Sequence, residues 1–210
     1  MALGDVARLQ LVCASANPDK AVEMEAILDG VVELLPRPPE VPDVVEDADT
    51  LIGNATLKAS AICAATGLPA VSDDTGLFVD ALGGAPGVYA ARYAGEDATY
   101  ADNRTKLLDA LEGSSDRAAS FVSAVVVVWP DGRKLAVEGV CRGTIAEREL
   151  GDRGFGYDPV FIPDDGDGRS FSQMSDAEKN EISHRARALH ALLETLKVEG
   201  WAGPKTEGQF

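Results

Sequence analysis

Two adjacent carboxylates, Asp73 and Asp74, follow the short apolar run Ala70–Ser72, and Thr75 and Gly76 come directly after them. Like charges side by side at a strand end repel, so a fold that keeps both offsets the repulsion with a cation or a proton. Gly83, Gly84 and Gly87, a little further on, let backbone lie close to a bulky group. The same Asp-Asp-Thr-Gly composition also suits a surface turn, so this stretch alone reads equally as a site or as a turn.

Three other segments could contribute chemistry. Ser15-Ala16-Asn17-Pro18-Asp19-Lys20 joins a strand to a helix, with Asn17 as N-cap and Pro18 at the first helical position. Backbone N–H groups, the positive end of the helix dipole, the Ser15 hydroxyl and the Lys20 ammonium would gather there into an anion site. An ordinary capped helix with a solvent-facing lysine has the same sequence. Gly151–Asp158 places glycines around Phe155 and Tyr157, with Gly156 between them. Such a loop exposes aromatic faces on which a base stacks, or it simply enters a strand with two core aromatics. Asp158 would bond a ring edge or cap a turn. Glu178–Arg187 concentrates Lys179, His184, Arg185 and Arg187 in an otherwise acidic chain. If Ser183 restarts the helix, His184 and Arg185 stand at a fresh N-terminus; if the helix is continuous, they are mostly a solvated face. Asp164–Arg169 resembles a calcium loop but fails as one, because Arg169 stands where an acidic ligand is needed. Together, a carboxylate pair for Mg²⁺, basic groups for a polyphosphate and an aromatic loop for a flat base point to a nucleoside triphosphate.

The elements that must position these groups follow from periodicity and punctuation. Leu9–Ala14 and Val31–Leu35 read as strands on either side of a helix that runs from Pro18 to Asp29 and stops at Gly30. The proline-rich, acidic stretch Pro36–Thr50 reads as a loop. Leu51–Thr66 is an Ala-rich helix closed by Gly67, and Ala70–Ser72 is a strand. A helix is expected over Ala101–Glu112. A long hairpin is expected from Ala118–Trp129 and Lys134–Glu149, joined by Pro130-Asp131-Gly132. Pro159–Ile162 reads as a further strand, and a last helical region begins near Ser175, where Ser175 and Glu178 form a capping box. Strand–helix–strand units followed by a long hairpin predict an α/β fold with a mixed sheet.

With 210 residues, 45% of them apolar, the chain suits one domain, or one domain with two lobes around a shared sheet. The tail, residues 200–210, reads as disordered. A net charge of −16 argues against nucleic acid and anionic membrane as partners. Cys13, Cys63 and Cys141 are widely spaced, which predicts reduced, buried thiols rather than disulfides or a zinc site. With no signal-peptide pattern and no apolar run of membrane length, the expectation is a soluble, cytoplasmic protein.

In this order, SANPDK at Ser15–Lys20, NATLKA at Asn54–Ala59, the segment from Ser72 to Glu96, and GFGYDPVF with EKNEISHR resemble the inosine/xanthosine triphosphate pyrophosphatase family from about Leu11 to Leu196. The resemblance implies a homodimer, each subunit a long, curved mixed sheet with helices on both sides and two lobes around a central cleft. It implies Mg²⁺-dependent hydrolysis of ITP, dITP and XTP between the α- and β-phosphates. Asp74 would be the general base and a metal ligand, with Asp73 completing the acidic patch as a further metal ligand. Ser15, Asn17, Lys20, Thr75 and Lys179 would hold phosphates and ribose, within a binding segment that includes Ala16, Pro18 and Asp19. Phe155, Gly156, Tyr157 and Asp158 would form the base pocket, His184 and Arg185 would read the 6-oxo edge, and Lys58 would face the same cleft. The chain departs from the family pattern at Val45 and Gly53, where acidic residues are usual, which leaves Glu46 as the distal metal ligand. A non-hydrolytic purine-nucleotide sensor and a less selective triphosphate pyrophosphatase are the competing readings.

Overall fold

The computed structural model describes residues 8–198; the tail expected to be disordered, residues 200–210, lies outside them. Strand β1 (Leu9–Cys13) leads into helix α1 (Pro18–Leu28), and strand β2 (Val32–Leu35) returns parallel to β1. Helix α2 (Leu51–Thr66) is capped by the Thr50 side chain and ended by Gly67 in the left-handed region, as its sequence demands. Strand β3 (Ala70–Val79) follows, then the short strand β4 (Pro86–Gly87) and helix α3 (Tyr100–Ala110), whose Thr99 and Asp102 complete a capping box. The long hairpin is β5 (Ala118–Val128) with β6 (Lys134–Ile145), and β7 (Phe161–Pro163) follows. Helices α4 (Asp176–Ile182) and α5 (His184–Val198) close the described chain.

The seven strands form one open mixed sheet in the order β2-β1-β3-β5-β6-β7, with β4 attached to β3. Pairing is parallel across β2, β1 and β3 and antiparallel elsewhere. Apolar residues on the two faces and two ends of the sheet form three clusters. Leu11, Val71 and Val125 pack under α1 and α5 through Met24, Leu28, Leu189 and Leu192. On the opposite face, Val12, Ala70 and Val126 pack against Ala55, Ala59 and Ile62 of α2. At the far end of the hairpin, Leu77, Phe121 and Ile145 join Leu107 of α3 and Leu111, just beyond it, with Phe161 and Phe171. A cleft borders the third cluster at Ala90, Phe121 and Tyr157. Among the described residues no helix is long and apolar enough to cross a membrane, and all three cysteines are buried and unpaired.

Several expected boundaries shift. The Asp-Asp segment is not a turn: β3 continues through it to Val79, because β5 pairs with every residue from Ala70 to Val79. Strand β6 ends at Ile145, short of Glu149, and Pro159 lies in a 3₁₀ turn rather than in the strand, which begins at Phe161. Proline at 159 supplies no N–H for a ladder, so pairing starts only beyond it.

Candidate active site

The register of β3 builds the site. One edge of β3 is filled by β5 along its whole length, so β1 and β4 share the other edge. There β1 reaches only Ala70 and Val71, and β4 only Leu77 and Phe78. Among the described residues no strand covers 72–76 on that side, and the cleft opens at this gap, beyond the carboxyl end of β1. Ligand sites favour such crevices at strand ends in α/β sheets.

Side chains alternate between the faces of a strand, which separates the two aspartates. Asp74 faces α2. Its Oδ2 accepts from Asn54 Nδ2 at 3.2 Å and its Oδ1 from Lys58 Nζ at 3.4 Å. Lys58 Nζ also donates to Glu46 Oε2 at 3.0 Å, so one ammonium joins two carboxylates. Asn54 accepts from the Ala48 amide, and Arg92 donates to the Glu46 carbonyl, which pins the loop carrying Glu46. Asp73 faces α1 and α5. It is fully buried, 3.3 Å from Lys20 Nζ and 2.9 Å from Arg185 Nη2.

Arg185 is the largest fully buried side chain among the described residues. It bonds Asp73, the Thr75 hydroxyl at 3.2 Å and Glu23 of α1. Its position comes from a break the sequence left open: Ser183 is extended (φ −68°, ψ 158°), ends α4, and its hydroxyl accepts from the Ala186 amide to start α5. His184 and Arg185 therefore occupy a fresh first turn. Gly139 on β6 lets that turn settle onto the sheet, because a Cβ there would overlap the His184 carbonyl and the Ala188 amide. His184 stacks on Phe121 with 4.4 Å between ring centres, and its buried Nδ1 has no partner among the described residues.

Lys179 of α4 bonds Glu23 at 2.7 Å and Asp158 at 2.6 Å, with its ammonium 4.7 Å from the centre of the Phe155 ring. Asp158 also accepts the Phe155 amide at 2.9 Å, and Gly154 (φ +67°) leaves the space its carboxylate fills. Asp158 thus shapes the 151–157 loop. Tyr157 is anchored in the far core, its hydroxyl donating to the Ala90 carbonyl at 2.9 Å.

These groups surround a cavity of about 270 Å³. Ser15, Ala16, Asn17, Lys20, Glu46, Lys58, Asp74, Thr75, Phe155, Gly156, Tyr157, Asp158, Lys179, His184 and Arg185 all line it, joined by Tyr100, Asn103, Arg92 and Phe121. Pro18 and Asp19, in the first turn of α1, do not line it, and neither does Asp73, which lies beneath Lys20 and Arg185. Sequence reasoning missed Glu23, Asn54 and Tyr100. Glu23 follows Lys20 by three residues, so the two share a helix face; that spacing was the one signal available for it.

The electrostatics divide the carboxylates into two kinds. Burial would raise the Asp73 carboxyl, but Lys20 and Arg185 outweigh it and hold it far below the usual range. Burial raises Asp74, with Glu46 and Asp73 adding to the rise and Lys58 and Lys20 opposing it. Burial likewise lowers Lys20, against the pull of Asp73. His184 is held well below its ordinary value by burial and then by Arg185 and Lys179, so its ring is neutral.

Among the described residues no three His, Cys, Asp or Glu side chains are grouped to hold a metal by themselves. Asp74 and Glu46 do fit a hard cation that keeps water and takes further oxygens from substrate phosphates, since Mg²⁺ needs only one or two carboxylates from the protein. They already converge on one cationic centre, Lys58.

The sequence matches the model of the Ham1 family over residues 11–195. The dITP/XTP pyrophosphatase of Rhodospirillum centenum is 45% identical over 188 residues, covering 87% of this chain and 92% of the relative. That of Caulobacter vibrioides is 44% identical over 190 residues, covering 89% and 97%. Among solved structures, a HAM1 protein from Coxiella burnetii superposes with a TM-score of 0.82 at 40% identity, over 90% of this chain and 99% of the other. A nucleoside-triphosphatase / dITP/XTP pyrophosphatase from Mycobacterium abscessus gives 0.70 at 41% identity, over 88% and 99%.

Proposed function

The chain belongs to the Ham1 family, and from that premise we propose that it hydrolyses dITP, ITP and XTP to the nucleoside monophosphate and pyrophosphate. One observation carries this reading: Asp74 and the cations Lys20, Lys58, Lys179 and Arg185, drawn from five elements, line a single cavity. Phosphoryl transfer asks a protein mainly for positioning and charge neutralisation, and this cavity supplies both.

In this reading Asp74 accepts a proton from water as the water oxygen bonds to phosphorus and the bridging P–O bond between α- and β-phosphates breaks. Asp74 and Glu46 would hold Mg²⁺, which supplies charge neutralisation for the phosphate oxygens when bound. Lys58, displaced from its carboxylates, and Lys20, backed by Asp73, meet the phosphates together with Ser15, Asn17 and Thr75. Lys179 stands at the junction of phosphate and base, fixed by Glu23 and Asp158. Phe155 offers its ring to the base above Gly156, and Tyr157 walls the pocket. The neutral His184 and Arg185 read the 6-oxo edge. Adenine, with an amino group at that position, would leave a buried donor unpaired, at a cost of about 1–3 kcal/mol.

The same reading makes the chain a single two-lobed domain acting as a cytoplasmic homodimer, with no role for nucleic acid or membrane. Its net charge of −16 supports the last point, and light scattering on the purified protein tests the dimer. The activity is tested by pyrophosphate release with Mg²⁺ from dITP, ITP, XTP, GTP, ATP and dUTP. Turnover of the first three well above the rest is expected. Comparable turnover of all six would favour the less selective enzyme, and nucleotide binding without release would favour the sensor.

A further inference from the structure

Tyr100 is the first residue of α3, which packs on the far core, yet its side chain reaches across the mouth of the cleft to α1. Its hydroxyl accepts from Asn17 Nδ2 at 2.9 Å and donates to Asp19 Oδ2 at 3.4 Å. Asn17 is committed at its other end, where Oδ1 accepts the amides of Asp19 and Lys20 at 2.9 and 3.3 Å. The Tyr100 ring meanwhile leans on Phe155, with centroids 6.0 Å apart and planes inclined at 42°. One side chain therefore rests with its ring on the aromatic loop and with its hydroxyl on the strand–helix loop at Ser15–Lys20. Tyr100 is 40% exposed, so its burial contributes less than that of a core residue would, and an ordinary α3 does not require its hydroxyl.

We propose that Tyr100 is a positioning residue, a strut that fixes the distance between the seat of the base at Phe155 and the seat of the phosphates at Asn17. It rests on the reading that the cleft takes a nucleoside triphosphate. A ligand that engages two seats at once gains from having them held at the right separation, because the second contact then forms without further ordering. Removing the hydroxyl leaves each seat intact and frees their spacing. A strut also works only with both ends in place, so the value of the hydroxyl depends on Phe155 as well as on Asn17.

The test is a pair of double-mutant cycles on the full chain: Tyr100→Phe with Asn17→Ala, and Tyr100→Phe with Phe155→Leu, read by dITP hydrolysis and thermal unfolding. Tyr100→Phe alone is expected to raise KM about three- to tenfold, the range of one hydrogen bond, with kcat within about twofold and the melting midpoint unchanged. In both the Asn17→Ala and the Phe155→Leu backgrounds the same change is expected to have little further effect. An unchanged KM in Tyr100→Phe would overturn the proposal. So would full additivity with Phe155→Leu, since the hydroxyl would then serve only the phosphate loop. Wild-type protein that releases no pyrophosphate from dITP would instead remove the nucleotide reading on which the strut depends.

Discussion

Replacing Lys58 by methionine should move two measurements in opposite directions. The Lys58 ammonium lies 3.0 Å from Glu46 and 3.4 Å from Asp74, at the point where both carboxylates converge. A divalent cation arriving without nucleotide must displace it. The contact with Asp74 is buried, and a hydrogen bond to such a charged group is worth about 1.5–3 kcal/mol. The contact with Glu46, whose side chain is 33% exposed, adds at most about 1 kcal/mol after solvent screening. Lys58→Met keeps the length of the side chain and removes the competitor. Affinity for Mn²⁺ in the absence of nucleotide should then tighten by about ten- to several hundredfold, since each 1.4 kcal/mol is worth a factor of ten. Hydrolysis of dITP should fall in the same variant, because a cation proposed to meet the phosphates is lost. Free Mn²⁺, counted by its electron-paramagnetic signal during a protein titration, reads the first effect, and pyrophosphate release reads the second. A variant that binds Mn²⁺ no better than wild type would refute the assignment of Glu46 and Asp74 as the cation's seat.

Asp73→Asn should cost about 3–5 kcal/mol of unfolding free energy, because it leaves Lys20 and the buried Arg185 without their shared carboxylate; urea unfolding at neutral pH measures it. His184 is held neutral in the fold, whereas in the unfolded chain it binds a proton below about pH 6.5. Its contribution to stability is therefore complete above that pH and declines as the pH falls, by up to about 1.4 kcal/mol per unit. Urea midpoints between pH 7 and 5 should show a shallower decline in His184→Asn, and parallel curves would argue against a neutral buried ring. Gly139→Ala forces a Cβ against the backbone of α5 and should lower stability by about 1–3 kcal/mol, seen as a drop in melting temperature.

Local rules made most of the elements legible. Asn17-Pro18, Thr50 with Gly67, and the Ser175–Glu178 box mark their helix ends because caps act within a few residues. The alternating and β-branched runs marked the hairpin for the same reason. The path of β3 through Asp73 and Asp74 was not legible. Two carboxylates in a strand are tolerable only because α1, α2 and α5 bring Lys20, Lys58 and Arg185 to them, and no local pattern encodes those long-range pairs. The restart at Ser183 was similarly open, since a serine supports either a continuous or a broken helix until the neighbouring sheet, with Gly139 beneath the next turn, favours the break. Most residues singled out for chemistry do line one cavity. Those overlooked, Glu23, Asn54 and Tyr100, bond other side chains, and apart from the Lys20–Glu23 helical spacing nothing local in the sequence marks such pairings.

The most direct test compares wild-type protein with Asp74→Asn in the presence of Mg²⁺, measuring both dITP binding and pyrophosphate release. The site's geometry predicts wild-type release of dIMP and pyrophosphate, and a variant that stays folded and binds nucleotide but turns over at least about a hundredfold more slowly, as expected when a general base is removed. Near-normal turnover by the variant, or release of orthophosphate in place of pyrophosphate by the wild type, would contradict it.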